Sequence, residues 1–250
     1  MSSFDTWLQD LEGRHLADLR FAEVSRALRA LSSAYVERRR TIQDGAALSG
    51  AGKRAAFALF YGPLHYLTIH EVVRGLGAAA VGRRTLVDLG CGTGASGAAW
   101  VDRATALSPV LAIDRHPWAI SEATRTYRHF NVTVRSRQAD LTSAGWPGMP
   151  VAFLAAFAVN EVPGPARDRL LGRLIERATR GDPILIVEPL ARSVAPWWRE
   201  WASAFAAAGG RADEWRFRAD LPDLVARLDR AAGLDHRELT ARTLWIPPGA

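Results

Sequence analysis

The stretch Val87-Asp88-Leu89-Gly90-Cys91-Gly92-Thr93-Gly94 decides how this chain folds. Thr85 to Leu89 is a short β-rich run, and it flows directly into a turn carrying three glycines. A helix is predicted from about Ala95 to Leu107. Glycines permit positive φ and remove the Cβ atoms that would keep a ligand from the backbone. The helix that follows presents free N–H groups and a positive dipole end to a carboxylate or phosphate. An acid, Asp88, stands just before the turn, and a second, Asp114, ends the next apolar run, Val110-Leu111-Ala112-Ile113.

Outward from this stretch the chain alternates. Pro117 to Phe130 reads as a helix and Val132 to Val134 as a third strand. Val151 to Val159 is a continuous apolar run, as expected of a strand covered on both faces. Pro165 to Thr179 is an amphipathic helix with Leu170, Leu171, Leu174 and Ile175 inward and Gly181 as its stop. Ile184 to Val187 is another buried strand. Strands alternating with helices predict an α/β fold with a doubly wound, mostly parallel sheet. Beyond Glu188-Pro189 the pattern loosens: helices are read at Trp197–Ala207 and Leu221–Ala232, with a last strand or two in Leu239–Ile246.

The N-terminal part differs in texture. Apolar residues recur at helical spacing from Phe4 through Trp7, Leu11, Leu19, Val24, Leu28 and Leu31 to Tyr35, so residues 3 to about 40 read as helix. Gly45 to Gly52 is a break, and 53–77 is helical again with Gly62-Pro63 as an internal stop and restart. The expected organisation is a helical extension or cap over 1–80 and a sheet domain over 81–250.

Composition sets outer limits. Across 250 residues, 48% are hydrophobic, enough for one large domain and an attachment. Cys91 is the single cysteine, which excludes an internal disulfide and a multi-cysteine metal site; no metal is expected. No uncharged apolar run approaches the ~18 residues of a membrane span, and the acidic, amphipathic N-terminus resembles neither a signal nor a transit peptide. A cytoplasmic setting is the expectation. The net charge of +6 admits an anionic partner. Lys53 is the only lysine among 32 basic residues, however, and the arginines are spread along the chain, which fits codon bias and solvated helix faces. The densest run, Arg38-Arg39-Arg40, ends a helical stretch, where cations suit the dipole.

Two cofactors compete for the glycine turn. Gly90 to Ala95 satisfies the dinucleotide pattern G-x-G-x-x-A, with Asp114 where a ribose-binding acid belongs, so a nicotinamide-dependent oxidoreductase is one reading. Asp88 opposes it, because a carboxylate there would repel a pyrophosphate. A zwitterionic amino-acid group would meet backbone N–H groups with its carboxylate and Asp88 with its ammonium.

The sequence VDLGCGTG resembles motif I of the class I S-adenosylmethionine-dependent methyltransferases, and the likeness runs through most of 83–190. The resemblance implies a Rossmann-like, seven-stranded sheet and S-adenosylmethionine as cofactor. It implies cofactor contacts from Asp88, Gly90, Cys91, Gly92, Gly94 and Asn160, ribose contacts from Asp114 beside Arg115, and adenine contacts from Asp140 beside Leu141. It also implies a methyl-transfer site lined by residues 160–163. Asn160 and Glu161 follow an apolar strand at the carboxyl edge of the sheet, where open α/β folds bind ligands. Glu161 is the first candidate for substrate contact or general base, with Asn160 as orienter; His65 and Tyr61 are second candidates. Ala158 to Pro163 together with Ile186 to Pro189 is similar also to the methyltransferase-like family of ribosomal small-subunit maturation. That family carries several C-terminal cysteines for an iron–sulfur cluster, which this chain lacks. The expected acceptor is a small molecule, with rRNA or the small ribosomal subunit, served by an assembly factor that keeps the pocket, as the alternative. Trp197, Trp198 and Trp201, with Arg192 and Arg199 among them, read as core packing or as a wall for a planar substrate.

Overall fold

Arg84 to Leu89 is apolar and β-branched enough to form a strand covered on both faces, and the computed structural model places it (β1) inside the sheet, between two parallel neighbours. The structure describes residues 1–37, 48–148, 150–191 and 195–249, without the side chains of 34–37. Arg38-Arg39-Arg40, the Gly45 end of the expected break, Arg192 and the Tyr35 side chain therefore lie outside the described residues. The other strands are β2 (Leu107–Asp114), β3 (Val134–Gln138), β4 (Val151–Ala156), β5 (Ile184–Glu188), β6 (Arg211–Arg218) and β7 (Glu238–Ile246). The helices are α1 (Ser3–His15), α2 (Phe21–Glu37), α3 (Ala51–Ala56), α4 (Gly62–Leu76), α5 (Ala95–Arg103), α6 (Pro117–His129), α7 (Gly164–Ala178), α8 (Trp198–Ala207) and α9 (Asp223–Ala231). Two compact units result: Met1–Leu67 with Arg218–Leu239, and Thr68–Phe217 with Thr240–Ala250. Among the described residues no helix is long and apolar enough to cross a membrane.

The second unit holds the seven-stranded sheet, ordered β3-β2-β1-β4-β5-β7-β6. β1 pairs in parallel with β2 and β4, β2 with β3, and β4 with β5; β7 runs antiparallel to β5. This is the Rossmann-like α/β arrangement expected from the alternating pattern. Val87, Leu89, Phe153, Ile184 and Ile186 share one core with Leu170 and Leu174 of α7 and Trp201 and Phe205 of α8, all of them fully buried. Elsewhere in the unit the Trp100 ring meets Trp245 edge-on at 5.9 Å and its Nε1 donates to Ala78 O. At roughly 1.5–3 kcal/mol per buried large side chain, this core stabilises the edge that the glycine turn leaves.

In the first unit, α1 and α2 bury Trp7, Leu11, Val24, Leu28 and Leu31. Phe4 stacks on Tyr66 at 4.5 Å, and Arg227 of α9 lies 4.9 Å over the Phe21 ring. His236 is tied to the buried Asp229 through its backbone N–H and its ring Nδ1.

Several expectations need correction. Residues 3 to 40 are not one helix: α1 ends at His15 and α2 starts at Phe21, because Glu23 reaches back to accept the Arg20 N–H and caps a new start. Gly62-Pro63 is no interruption. Phe57–Tyr61 forms a π-helical turn closed by the Gly62 N–H donating to Phe57 O, and α4 runs on from it through Pro63. The third strand is not Val132–Val134 but the polar Val134–Gln138, an edge strand with exposed side chains. β6 was not expected at all: Arg211–Arg218 is mostly charged, and only Asp213, Trp215 and Phe217 turn partly inward.

Candidate functional site

The carboxyl edge of the second unit's sheet is built from the ends of β1, β2, β4 and β5. Gly90, Gly92 and Gly94 all have positive φ, at 69°, 53° and 75°. At Gly90 the strain is compounded by crowding, since a Cβ would stand 2.6 Å from the Cβ of Ala158. The glycine turn thus lies directly against the segment after β4. Gly94 is the N-cap of α5 and has no side chain to satisfy that helix start, so the first turn keeps the anion-binding character of an uncapped N-terminus.

Asp88 is 1% exposed, and its Oδ2 accepts a 2.5 Å bond from the Tyr127 hydroxyl of α6. Burial pushes its carboxyl up to about 7, with the Tyr127 bond pulling down and the Asp114 charge adding to the rise. Asp114 bridges two segments: Oδ2 accepts from Gly92 N at 3.0 Å and Oδ1 from His116 N at 2.8 Å. It does not cap α6 itself; His116 does, accepting from Trp118 N through Nδ1. Cys91 is buried, and burial together with Asp88 and Asp114 drives its thiol well above the ordinary value, so it stays a protonated packing group.

After β4 the chain turns sharply. Phe157 has φ 58°, unusual for a bulky residue, while its N–H donates to Val187 O. A 3-10 turn, Val159–Glu161, follows. Glu188, fully buried at the end of β5, accepts from Val159 N at 2.8 Å, from Asn160 N at 3.2 Å and from the Asn160 side-chain amide. The Trp197 indole N–H, a donor only, bonds Asn160 Oδ1 at 3.1 Å, which settles the orientation of the amide. Burial, opposed by these donors, pushes Glu188 up to about 8.

The remaining expected residues are placed as follows. Glu161 is exposed and pairs with Arg115 at 3.8 Å. β2 and β4 flank β1 in the sheet, so this pair joins the segments on either side of the glycine turn. Asp140 is exposed and caps its own turn, accepting from Thr142 N and the Thr142 hydroxyl. Leu141 packs beside Gly90, 3.2 Å from where its Cβ would be. The tryptophan stripe is core: Trp197 and Trp201 meet edge-on at 4.9 Å, and Trp198 lies under the Arg242 guanidinium. Tyr61 and His65 belong to the first unit, their rings 6.1 Å apart. Burial raises Tyr61 to about 12 and lowers His65 to about 4, keeping both neutral near pH 7. Tyr127, Phe157 and the Trp197 bond were not read from the sequence. A positive-φ phenylalanine leaves no residue-type signal, and Tyr127 meets its partner across 39 residues of chain.

No family model and no curated relative matches the sequence. Solved structures match by shape. The mitomycin 7-O-methyltransferase MmcR aligns over 90% of this chain and 68% of its own, with a TM-score of 0.53 at 15% identity. The N-methyltransferase NodS from Bradyrhizobium japonicum WM9, solved with S-adenosyl-L-homocysteine, aligns over 72% of this chain and 86% of its own, with a TM-score of 0.50 at 12% identity. The chain therefore has the Rossmann-like fold of these two methyltransferases.

Proposed function

We propose that this protein is an S-adenosylmethionine-dependent methyltransferase acting on an N, O or C nucleophile of a small-molecule acceptor in the cytoplasm. The observation that carries the reading is the pairing of two acids around an uncapped helix start: Asp88 beneath the glycine turn and Asp114 tied to Gly92. This donor set suits a zwitterion attached to a ribose and opposes a pyrophosphate. The sheet supports the same choice. Dinucleotide-binding folds order their strands 3-2-1-4-5-6. Here an antiparallel β7 stands between β5 and β6.

Bound at this edge, S-adenosylmethionine supplies a methyl group already activated by its sulfonium. The work left to the protein is alignment and exclusion of water. Asp88 takes the ammonium and the α5 N-terminus the carboxylate, with Gly90, Cys91, Gly92 and Gly94 giving the backbone its close approach. Asp114, flanked by Arg115, takes the ribose hydroxyls. Asp140 and Leu141 serve the adenine end, Asp140 through Oδ2, since both of its Thr142 bonds fall on Oδ1. Asn160, held by Glu188 and Trp197, orients the acceptor. Glu161 contacts the acceptor and takes its proton where the nucleophile arrives protonated.

Calorimetric titration with S-adenosylhomocysteine and, separately, with NAD tests the reading. Saturable heat with the first and none with the second is expected; the reverse result would replace it with the oxidoreductase.

A further inference from the structure

The helix α5 contains a glycine that its own turn geometry does not require. Gly97 sits in the first turns of the helix, buried with its neighbours and without a positive φ. Glycine within a helix costs about 0.5–1 kcal/mol relative to alanine. The reason for it lies across the helix. A Cβ at Gly97 would stand 1.8 Å from the Tyr127 hydroxyl oxygen and 2.8 Å from Asp88 Oδ2. The vacant side of Gly97 is therefore the space in which Tyr127 and Asp88 meet. Tyr127 is fully buried, so a phenylalanine would serve as well for packing alone. Its hydroxyl makes the 2.5 Å bond to Asp88.

We propose that Tyr127 is a positioning residue for the cofactor: its hydroxyl, admitted by Gly97, holds one oxygen of Asp88 and keeps that carboxylate charged and aimed at a cationic amino group. This rests on the S-adenosylmethionine reading above. The titratable groups facing Asp88 are Tyr127 from α6, Asp114 from the end of β2 and Cys91 in the glycine turn. Burial drives Tyr127 and Cys91 well above their ordinary values, so both remain neutral and Tyr127 remains a donor. The bond favours ionised Asp88 and works against the desolvation that lifts it to about 7. Ammonium binding needs the carboxylate, so affinity falls as pH drops through that value. Without the hydroxyl, Asp88 holds its proton to higher pH, and the midpoint moves up.

The test is calorimetric titration of the full chain with S-adenosylhomocysteine from pH 6 to 9, for wild type, Tyr127→Phe and Gly97→Ala. In wild type, affinity is expected to rise with pH through about 7. In Tyr127→Phe it is expected to be about fivefold weaker at pH 7, with the midpoint raised by about one pH unit and most of the loss recovered at pH 9. Gly97→Ala, which keeps the tyrosine but crowds the bond, is expected to shift the midpoint in the same direction. It serves as the test should Tyr127→Phe not fold, as checked by circular dichroism. Wild-type affinity and midpoint in a folded variant would overturn the proposal and leave Tyr127 as packing. Absence of binding by folded wild type would remove the cofactor reading and this proposal together.

Discussion

The two edges of one sheet treat buried acids in opposite ways. At the amino edge Asp182, fully buried, is met by Arg177 at 2.6 Å, Arg84 at 3.9 Å and the Val151 N–H. At the carboxyl edge Asp88 and Glu188 are just as buried but are bonded by neutral donors: a phenol for Asp88, and two backbone N–H groups and an amide for Glu188. An acid clasped by two guanidiniums has its charge already matched and can do little but hold strands together. An acid satisfied by neutral groups keeps its charge in reserve, at the cost of a carboxyl pushed to about 7 or 8. The first arrangement is a fastening; at Asp88 the second fits the ammonium partner proposed above.

Breaking the fastening has the largest expected effect. Asp182→Ala strands two arginines and should destabilise the fold by about 3–5 kcal/mol, a Tm loss of roughly 10 °C, as heard by differential scanning calorimetry. S-adenosylhomocysteine affinity below the unfolding temperature should stay within about twofold; a selective loss of affinity with an unchanged Tm would erase the distinction between the edges. Glu188→Ala comes next. It orphans the Val159 and Asn160 N–H groups at a cost of about 1–3 kcal/mol. Urea unfolding at pH 6.5 should register the loss, and an unchanged midpoint would mean that water replaces the carboxylate.

Asp88→Asn acts on function instead. It should weaken S-adenosylhomocysteine binding about 30-fold, roughly 2 kcal/mol, by titration at pH 8. The apo protein should gain stability at that pH, because asparagine never carries the buried charge. Undiminished affinity would count against Asp88 as the ammonium partner. The pH dependence follows the same sign. Folding raises both carboxyls, so the stability of their neutral forms is complete below the unfolded value near 4 and is lost as pH rises through about 7 and 8. The Tm of the apo protein should therefore fall between pH 6.5 and 9, while the Tm gain from S-adenosylhomocysteine grows. Parallel flat curves would show that neither acid is raised. Smallest is Glu161→Gln: its exposed pair with Arg115 is worth under about 1 kcal/mol, so neither Tm nor cofactor affinity should move measurably. Any effect belongs in the pH profile of methyl transfer, and a large loss of cofactor affinity would recast the Arg115 pair as part of the cofactor site.

How much was legible follows from where the information sits. β1, the glycine turn and the start of α5 declare themselves locally, because glycines between an apolar run and a helix have few other uses. β4 and β5 are equally plain, since strands covered on both faces need unbroken apolar sequence. β3 and β6 are the sheet's two edges, and each is held by pairing on one side while its side chains face water. Neither has to be apolar. Only the alternation of Asp213, Trp215 and Phe217 against charged neighbours marked β6. Asp114 was named as a site residue from its place at a strand end, but its bond to Gly92 spans 22 residues and had no local signal.

The amino-acid sequence alone determined the α/β class, the position of the glycine turn and the acids beside it, because these follow from neighbours a few residues apart. Tertiary structure alone decided that Tyr127 bonds Asp88 in the space beside Gly97, that Trp197 and Glu188 fix Asn160, and that 218–239 joins the N-terminal helices in one unit. Those pairings join groups far apart in the chain, and burial of polar atoms, which makes each partner obligatory, exists only once the chain has folded.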